Sequence, residues 1–113
     1  MKHYKLEATT LAQVNSEIEK QPAIALYFAS PGCGVCLADL PKVEEIAENS
    51  GIPLIYIDID RVPEASGQLS VFTVPTVLLY LEQREYHRQS RFIDGRVLEK
   101  RIREVSQQEK EEI

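Results

Sequence analysis

Both cysteines of the chain, Cys33 and Cys36, lie in one short stretch, SPGCGVCLADLP. A thiolate can attack a disulfide, ligate a metal or form a disulfide itself. Two cysteines placed at random in 113 residues would have this spacing about 2% of the time, so the pair is interpreted as a motif. The spacing is compatible with three kinds of site: a structural disulfide, half of a metal centre, or a redox-active dithiol.

The pair stands between an apolar run and a helical pattern, which predicts that it opens a helix. The N-terminus of a helix presents unpaired N–H groups and a partial positive charge, and both stabilise a thiolate. Lowering a cysteine pKa from about 8.5 to about 7 raises the thiolate fraction at neutral pH from a few per cent to roughly half. We predict that Cys33 attacks a substrate disulfide and that Cys36, one turn further on, resolves the mixed disulfide.

The other two kinds of site are less well supported. A loop this short would stabilise the fold by only about 2 kcal/mol as a structural disulfide. Zinc and iron–sulfur centres use about four ligands, so a metal would have to be shared between two subunits. His87 has no motif spacing to the pair. We therefore predict a redox-active disulfide with no metal and no bound cofactor.

Composition predicts a single globular domain over residues 1–113, with 43% hydrophobic and 27% charged residues. The net charge of −5 argues against a nucleic-acid partner. The first residues contain no apolar signal region, and the longest apolar stretches, 23–29 and 74–81, are too short to cross a membrane. We expect a cytoplasmic protein without a membrane partner, whose charged tail at 107–113 frays.

The hydrophobic pattern alternates between helical and strand-like segments, which predicts an α/β layered sheet. Continuous apolar runs at 23–29 and 53–59 are typical of strands covered on both faces. Further strands are predicted at 76–81 and at 86–92, after a polar hairpin at 82–85. Helices are predicted at 10–20, from the cysteines to Gly51, at about 63–69 and from Asp94 onwards.

With a strand leading into a Cys-x-x-Cys helix, residues 10–106 resemble the thioredoxin family. Pro41, five residues after Cys36, matches the proline that kinks the active-site helix of that family. The segment 58–60 followed by Pro63 resembles the end of the central strand, and 74–76 resembles the loop that carries a cis proline. The resemblance implies a three-layer fold, a central mixed β-sheet flanked by helices, with an additional strand near 4–6.

The resemblance also implies an activity and a substrate site. The family's activity is thiol–disulfide oxidoreduction, an electron-transport reaction that serves cell redox homeostasis. Its partners are proteins with disulfides, with electrons supplied by a reductase or a low-molecular-weight thiol, and we expect the protein to be a monomer. Pro75, if cis, would lie beside the sulfurs and turn the backbone of Val74 towards an extended substrate segment. The substrate-binding residues implied are Gly32, Gly34, Val35, Val74 and Pro75.

The chain departs from the family at several tuning positions. Gly32 stands where thioredoxins carry tryptophan, and Val35 where they carry proline. Tyr27 replaces the buried aspartate that accepts a proton from the resolving thiol, and Tyr56 replaces its associated lysine. Tyrosine, with a pKa near 10, is a poor base at neutral pH, so we predict that both tyrosines are core residues.

Arg91 stands where a glycine near the active-site surface is expected. A positive charge there would favour the thiolate of Cys33 and would attract acidic partners. Because of the lost aspartate and tryptophan, a second function stays open: a catalytically relaxed module that binds a partner protein. A metal or iron–sulfur centre shared between two subunits is the third.

Overall fold

A computed structural model describes residues 6–111, and the side chains of residues 6–107. Within this part of the chain, a five-stranded sheet has the order β1-β3-β2-β4-β5. The first three strands in that order are parallel, whereas β4 and β5 run antiparallel to their neighbours. The sheet is therefore mixed, as predicted. Its elements are β1 (Leu6–Glu7), α1 (Leu11–Lys20), β2 (Ala23–Ala29), α2 (Gly34–Ser50), β3 (Leu54–Asp58), α3 (Pro63–Leu69), β4 (Thr76–Leu81), β5 (Arg84–Ser90) and α4 (Gly95–Glu111).

The central strand β2 is buried along its whole length, because helices cover both faces of the sheet. Its odd-numbered residues, among them Tyr27, pack in one cluster with α2 and α4, whose contacts include Val43 and Leu98. Its even-numbered residues, among them Phe28, pack with α1 and α3, whose contacts include Val14. This alternation follows from the two-residue period of a strand and produces three layers.

Several predicted helix boundaries are confirmed by their capping contacts. The Thr10 side chain accepts a hydrogen bond from the Gln13 N–H at 3.2 Å, and the Gln13 side chain accepts one from the Thr10 N–H. Gly51 ends α2 with a left-handed φ of 70°, which glycine adopts without steric cost. The Asp94 carboxylate caps the first turn of α4 by accepting two backbone N–H bonds.

The last strand lies two residues earlier than predicted. Glu82 and Gln83 have positive φ values of 49° and 69° and form a two-residue turn between Leu81 and Arg84. The predicted hairpin at 82–85 is therefore too long, because Arg84 and Glu85 already belong to β5. Their polarity suggested a turn, but β5 is an edge strand in which four of the seven residues are exposed.

Two predictions concern the ends of the chain. Of the additional strand predicted near 4–6, Leu6 lies in β1 and pairs with Ile55 of β3, whereas Tyr4 and Lys5 lie outside the described residues. The helix α4 extends to Glu111, and fraying of the 107–113 tail stays a prediction. In residues 6–111, no helix combines the length and the apolar character that crossing a membrane requires.

Candidate active site

Cys33 and Cys36 are joined by a disulfide, with their Cα atoms 5.2 Å apart. Cys33 is partly exposed, whereas Cys36 is buried with 2% of its surface accessible. The two sulfurs therefore differ in their access to a large molecule. A substrate can approach Cys33 but not Cys36.

Cys33 is the N-cap residue of α2, so its sulfur lies at the positive end of the helix. Its Sγ accepts a hydrogen bond from the Cys36 N–H at 3.0 Å. Its backbone carbonyl accepts one from the Leu37 N–H at 3.2 Å, which fixes the loop against the helix. A donor that points at a thiolate stabilises the charged form, so this geometry suits an attacking sulfur.

Tyr27, on the buried strand β2, holds the first turn of the active-site helix α2. It is fully buried on β2, and its ring lies 6.2 Å from that of Tyr56 on the neighbouring strand. Its hydroxyl donates a hydrogen bond to the Cys36 carbonyl at 2.7 Å. Burial, followed by the nearby negative charge of Asp39, raises the pKa of Tyr27 far above its ordinary value. Tyr27 is therefore a neutral donor; sequence reasoning predicted its core position but missed this hydrogen bond.

Val74 and Pro75 approach the cysteines through the register of the sheet. The Val74–Pro75 peptide bond is cis, as the family resemblance implies. Thr76, the first residue of β4, pairs with Phe28 near the end of β2, and the loop to Cys33 leaves from that same end. Val74 and Cys33 pack against the same core cluster. The structure thus brings the predicted substrate-binding loop to the end of β2 that leads to the disulfide.

The other predicted site residues lie on the surface around this end of β2. Gly32 and Gly34 are exposed, and a Cβ added at either position would meet only open space. Val35 is 55% exposed in the first turn of α2, and Pro41 lies in the interior of the same helix. The Arg91 N–H donates to the Pro75 carbonyl at 2.7 Å, which places the arginine backbone beside the cis proline.

Sequence reasoning missed two aromatic residues near the site. Phe72 lies in the loop before Val74, and 87% of its side chain is exposed. Phe92 follows Arg91 and is 81% exposed, although it is predicted to lie in a strand. A single apolar residue in a loop does not reveal its own exposure, so the pattern held no signal for either.

The fold and the disulfide can be compared with known proteins. The family model described as Thioredoxin matches residues 5–104. The chain belongs to the thioredoxin family. Thioredoxin-like protein YdfQ of Bacillus subtilis is 34% identical over 97 residues, which cover 85% of this chain and 87% of that protein. Thioredoxin Asp f 28 of Aspergillus fumigatus is 28% identical over 103 residues, 90% of this chain and 84% of that protein.

Solved structures of thioredoxins share the fold. A mutant thioredoxin from Halobacterium salinarum superposes with a TM-score of 0.82 at 21% identity, and the match covers 89% of each chain. The thioredoxin of Fasciola hepatica superposes with a TM-score of 0.77 at 27% identity, covering 86% of this chain and 95% of that one. The predicted thioredoxin-like fold is confirmed. With its family and its Cys-x-x-Cys disulfide, the protein is a thiol–disulfide oxidoreductase.

Among the side chains of residues 6–107, no three from His, Cys, Asp or Glu gather closely enough to hold a metal ion.

Proposed function

We propose that this thioredoxin-family protein reduces disulfides in protein substrates, with Cys33 as the attacking thiolate and Cys36 as the resolving thiol. The observation that carries this assignment is the difference between the two sulfurs. Cys33 is partly exposed at the N-cap of α2, whereas Cys36 is buried one turn further on. Only the first can meet a bulky substrate, and only the second is protected from competing reactions.

The reaction proceeds in two exchanges. The Cys33 thiolate attacks one sulfur of the substrate disulfide, forms a mixed disulfide and releases the other substrate sulfur as a thiolate. Cys36 then loses its proton and attacks the Cys33 sulfur, which releases the second substrate thiolate. Two electrons pass from the dithiol to the substrate, and the Cys33–Cys36 disulfide remains. The protein needs no bound cofactor for either step.

The substrate binds, on this proposal, along the exposed backbone around the disulfide. Gly32, Gly34 and Val35 form one side of this groove, and Val74 with Pro75 forms the other. The β2–β4 ladder ends at Thr76, so the backbone of Val74 lies beyond the paired part of the sheet. An extended substrate segment can add to it as a short strand.

Three further residues tune the site. Pro41 has no backbone N–H, so the Leu37 carbonyl lacks its usual helical donor and α2 can bend there. Tyr27 holds the Cys36 carbonyl and leaves the deprotonation of Cys36 to water. Arg91, exposed beside Pro75, adds a positive charge that favours the thiolate of Cys33.

Thioredoxin-family proteins act on disulfide-containing proteins and are reduced by a reductase partner. We propose that this protein receives its electrons from such a reductase or from a low-molecular-weight thiol. A dithiol that serves as a reductant must be kept reduced, which the cytoplasmic thiol pool does. We therefore place the protein in the cytoplasm, and we propose that it acts as a monomer.

The test combines two cysteine variants with a redox titration. We expect the wild-type protein to reduce a protein disulfide with dithiothreitol as donor, and Cys33→Ser to abolish this activity. Cys36→Ser should instead accumulate the mixed disulfide through Cys33, which mass spectrometry detects. Titration against glutathione or dithiothreitol, followed by alkylation, should give a two-electron couple near or below about −230 mV.

The opposite outcomes would identify the alternative functions. A couple above about −180 mV would indicate an oxidant or isomerase. If no intramolecular disulfide forms at any poise, the proposed mechanism is wrong. Partner binding that survives replacement of both cysteines would then indicate a docking module, and a metal-dependent dimer would indicate a shared centre.

A further inference from the structure

We propose that Phe72 and Phe92, the aromatic pair, select protein substrates whose disulfide is flanked by bulky apolar side chains. This inference rests on the proposed function and names the substrate class of the same site. Phenylalanine is ordinarily among the most buried residue types, yet 87% and 81% of these two side chains are exposed. Exposed apolar side chains grouped at one place mark a surface that another molecule covers.

From different elements, the two phenylalanines approach the end of β2 that leads to the disulfide. Phe72 lies three residues before Pro75, which limits their separation to roughly 11 Å of chain. Phe92 follows Arg91, whose N–H donates to the Pro75 carbonyl at 2.7 Å. Phe72 therefore follows α3 and Phe92 follows the end of β5, and the backbone at both positions adjoins the cis-proline loop.

The position next to Cys33 contributes little apolar surface of its own. Gly32 has no side chain, and the space where its Cβ would lie is open. In the first turn of α2, Val35 and Leu37 are the exposed large apolar side chains, at 55% and 62%. The aromatic pair thus supplies the large exposed apolar side chains on the cis-proline side of the disulfide, where Gly32 supplies none.

The location of the aromatic pair indicates which kind of molecule covers it. A molecule that covers these side chains and uses the site must bring a disulfide to Cys33. An extended protein segment does so when it adds to the backbone of Val74, since its side chains then reach Phe72 or Phe92 on either side of the half-cystine. A membrane surface carries no disulfide. A second copy of this chain is the remaining occupant, and the experiment must separate it from a substrate.

The experiment measures single-turnover exchange between the reduced protein and disulfide-linked peptides. One peptide pair carries leucine and phenylalanine beside its cysteines, and the matched pair carries serine at those positions. Burial of one phenylalanine changes a rate by roughly one to two powers of ten, so we expect the apolar peptide to react at least about tenfold faster with the wild type. The double variant Phe72→Ala, Phe92→Ala should lose this preference.

Three controls make the result specific. Reaction with hydroxyethyl disulfide, which is too small to cover the pair, should be unchanged in the double variant. Tyr86→Ala removes an aromatic ring that is 38% exposed on β5, four residues before its last residue, and should retain the preference. The double leucine variant should retain most of it, because leucine keeps the surface apolar.

Each other outcome overturns the inference in a recognisable way. If the wild type reacts with the apolar and the serine peptide at equal rates, and the double variant does too, while hydroxyethyl disulfide is still reduced, the substrate class is wrong and the proposed function stands. If the double variant reacts more slowly with all three disulfides, the aromatic pair affects the reactivity of the cysteines rather than the binding of a substrate. A dimer that depends on the pair would assign the surface to a second copy. Failure of the wild type with all three disulfides would overturn the proposed function as well.

Discussion

Tyr27 shows how one residue can keep its place in the fold while its chemistry changes. Its side chain is fully buried. At this position the thioredoxin family carries the aspartate that serves as a base for the resolving thiol. The hydroxyl instead donates to the Cys36 carbonyl at 2.7 Å. Because burial and the charge of Asp39 raise its pKa, the hydroxyl keeps its proton through the neutral range. The proton of Cys36 must therefore leave by another route.

This interpretation predicts a separation of stability from reactivity in Tyr27→Phe. Loss of the hydroxyl removes one buried hydrogen bond, so the free energy of unfolding should fall by about 0.5–1.5 kcal/mol. Urea unfolding of the oxidised protein measures this change. The pH dependence of thiol alkylation in the reduced variant should match that of the wild type, since a neutral tyrosine takes no part in proton transfer.

A matched control is Tyr86→Phe, which removes an exposed hydroxyl that donates to Glu104 at 2.7 Å. Its stability should change by less than about 0.5 kcal/mol, because that hydrogen bond competes with water. A shift of the alkylation profile in Tyr27→Phe alone would contradict the assignment of Tyr27 as a donor.

Among the secondary-structure elements, α2 and α4 each begin with a side-chain cap close to the site. In α2 the capping group is the Cys33 sulfur itself, so the same contact begins the helix and orients the reactive atom. In α4 the cap is the carboxylate of Asp94, and Ile93 and Leu98 on either side of it are buried. Lys42 of α2 donates to the Ile93 carbonyl at 3.0 Å, which links the start of α4 to the active-site helix.

We expect Asp94→Ala to lower the free energy of unfolding by about 1 kcal/mol, because two N–H groups of α4 lose their acceptor. Asp94→Ser should retain most of this stability, since a serine hydroxyl can accept the same bonds. Glu99→Ala, on the exposed side of the helix, should change little, because its ion pair with Arg103 is long at 3.8 Å.

Urea midpoints of the three variants at one pH test this prediction. Equal midpoints for the alanine and serine variants at position 94 would show that the cap does not stabilise α4. A large loss in Glu99→Ala would show that the helix depends on surface charge instead.

At the scale of the whole molecule, we expect His87 on the edge strand β5 to make stability depend on pH. His87 lies on the edge strand β5, where partial burial, followed by the positive charge of Arg101, lowers its pKa; Glu104 opposes the shift. The unfolded chain then takes up a proton near the ordinary pKa of about 6.5, before the folded chain does. Folding is therefore penalised as the pH falls below about 6.5.

We predict that His87→Gln removes this part of the pH dependence. The difference in unfolding free energy between wild type and variant should be constant above about pH 7.5. Between about pH 6.5 and pH 5, the wild type should lose stability relative to the variant. Chemical unfolding at a series of pH values measures it. The lowered pKa of Glu85, held mainly by its hydrogen bonds to Arg88, acts in a more acidic range and serves as an internal comparison. A difference that stays flat from pH 7.5 to pH 5 would contradict the prediction.

Except for β1, which only the family resemblance implied, the order of helices and strands was determined by local sequence, as were the capped starts at Thr10 and Asp94 and the cysteine pair. Hydrophobic period, capping chemistry and cysteine spacing act over a few residues, so they can be read without the fold. The β5 boundaries were wrong because an exposed edge strand carries polar residues that also occur in turns.

Only the tertiary structure decided what surrounds the disulfide. The register of β2 with β4 brings Pro75 to the end of β2 from which the loop to Cys33 leaves, and the hydrogen bond from the Arg91 N–H to the Pro75 carbonyl brings the backbone next to Phe92 to the same loop. Exposure of Phe72 and the bond from Tyr27 to the Cys36 carbonyl depend on packing between segments far apart in the chain. Such contacts depend on how the sheet aligns distant residues, and no local pattern encodes that alignment.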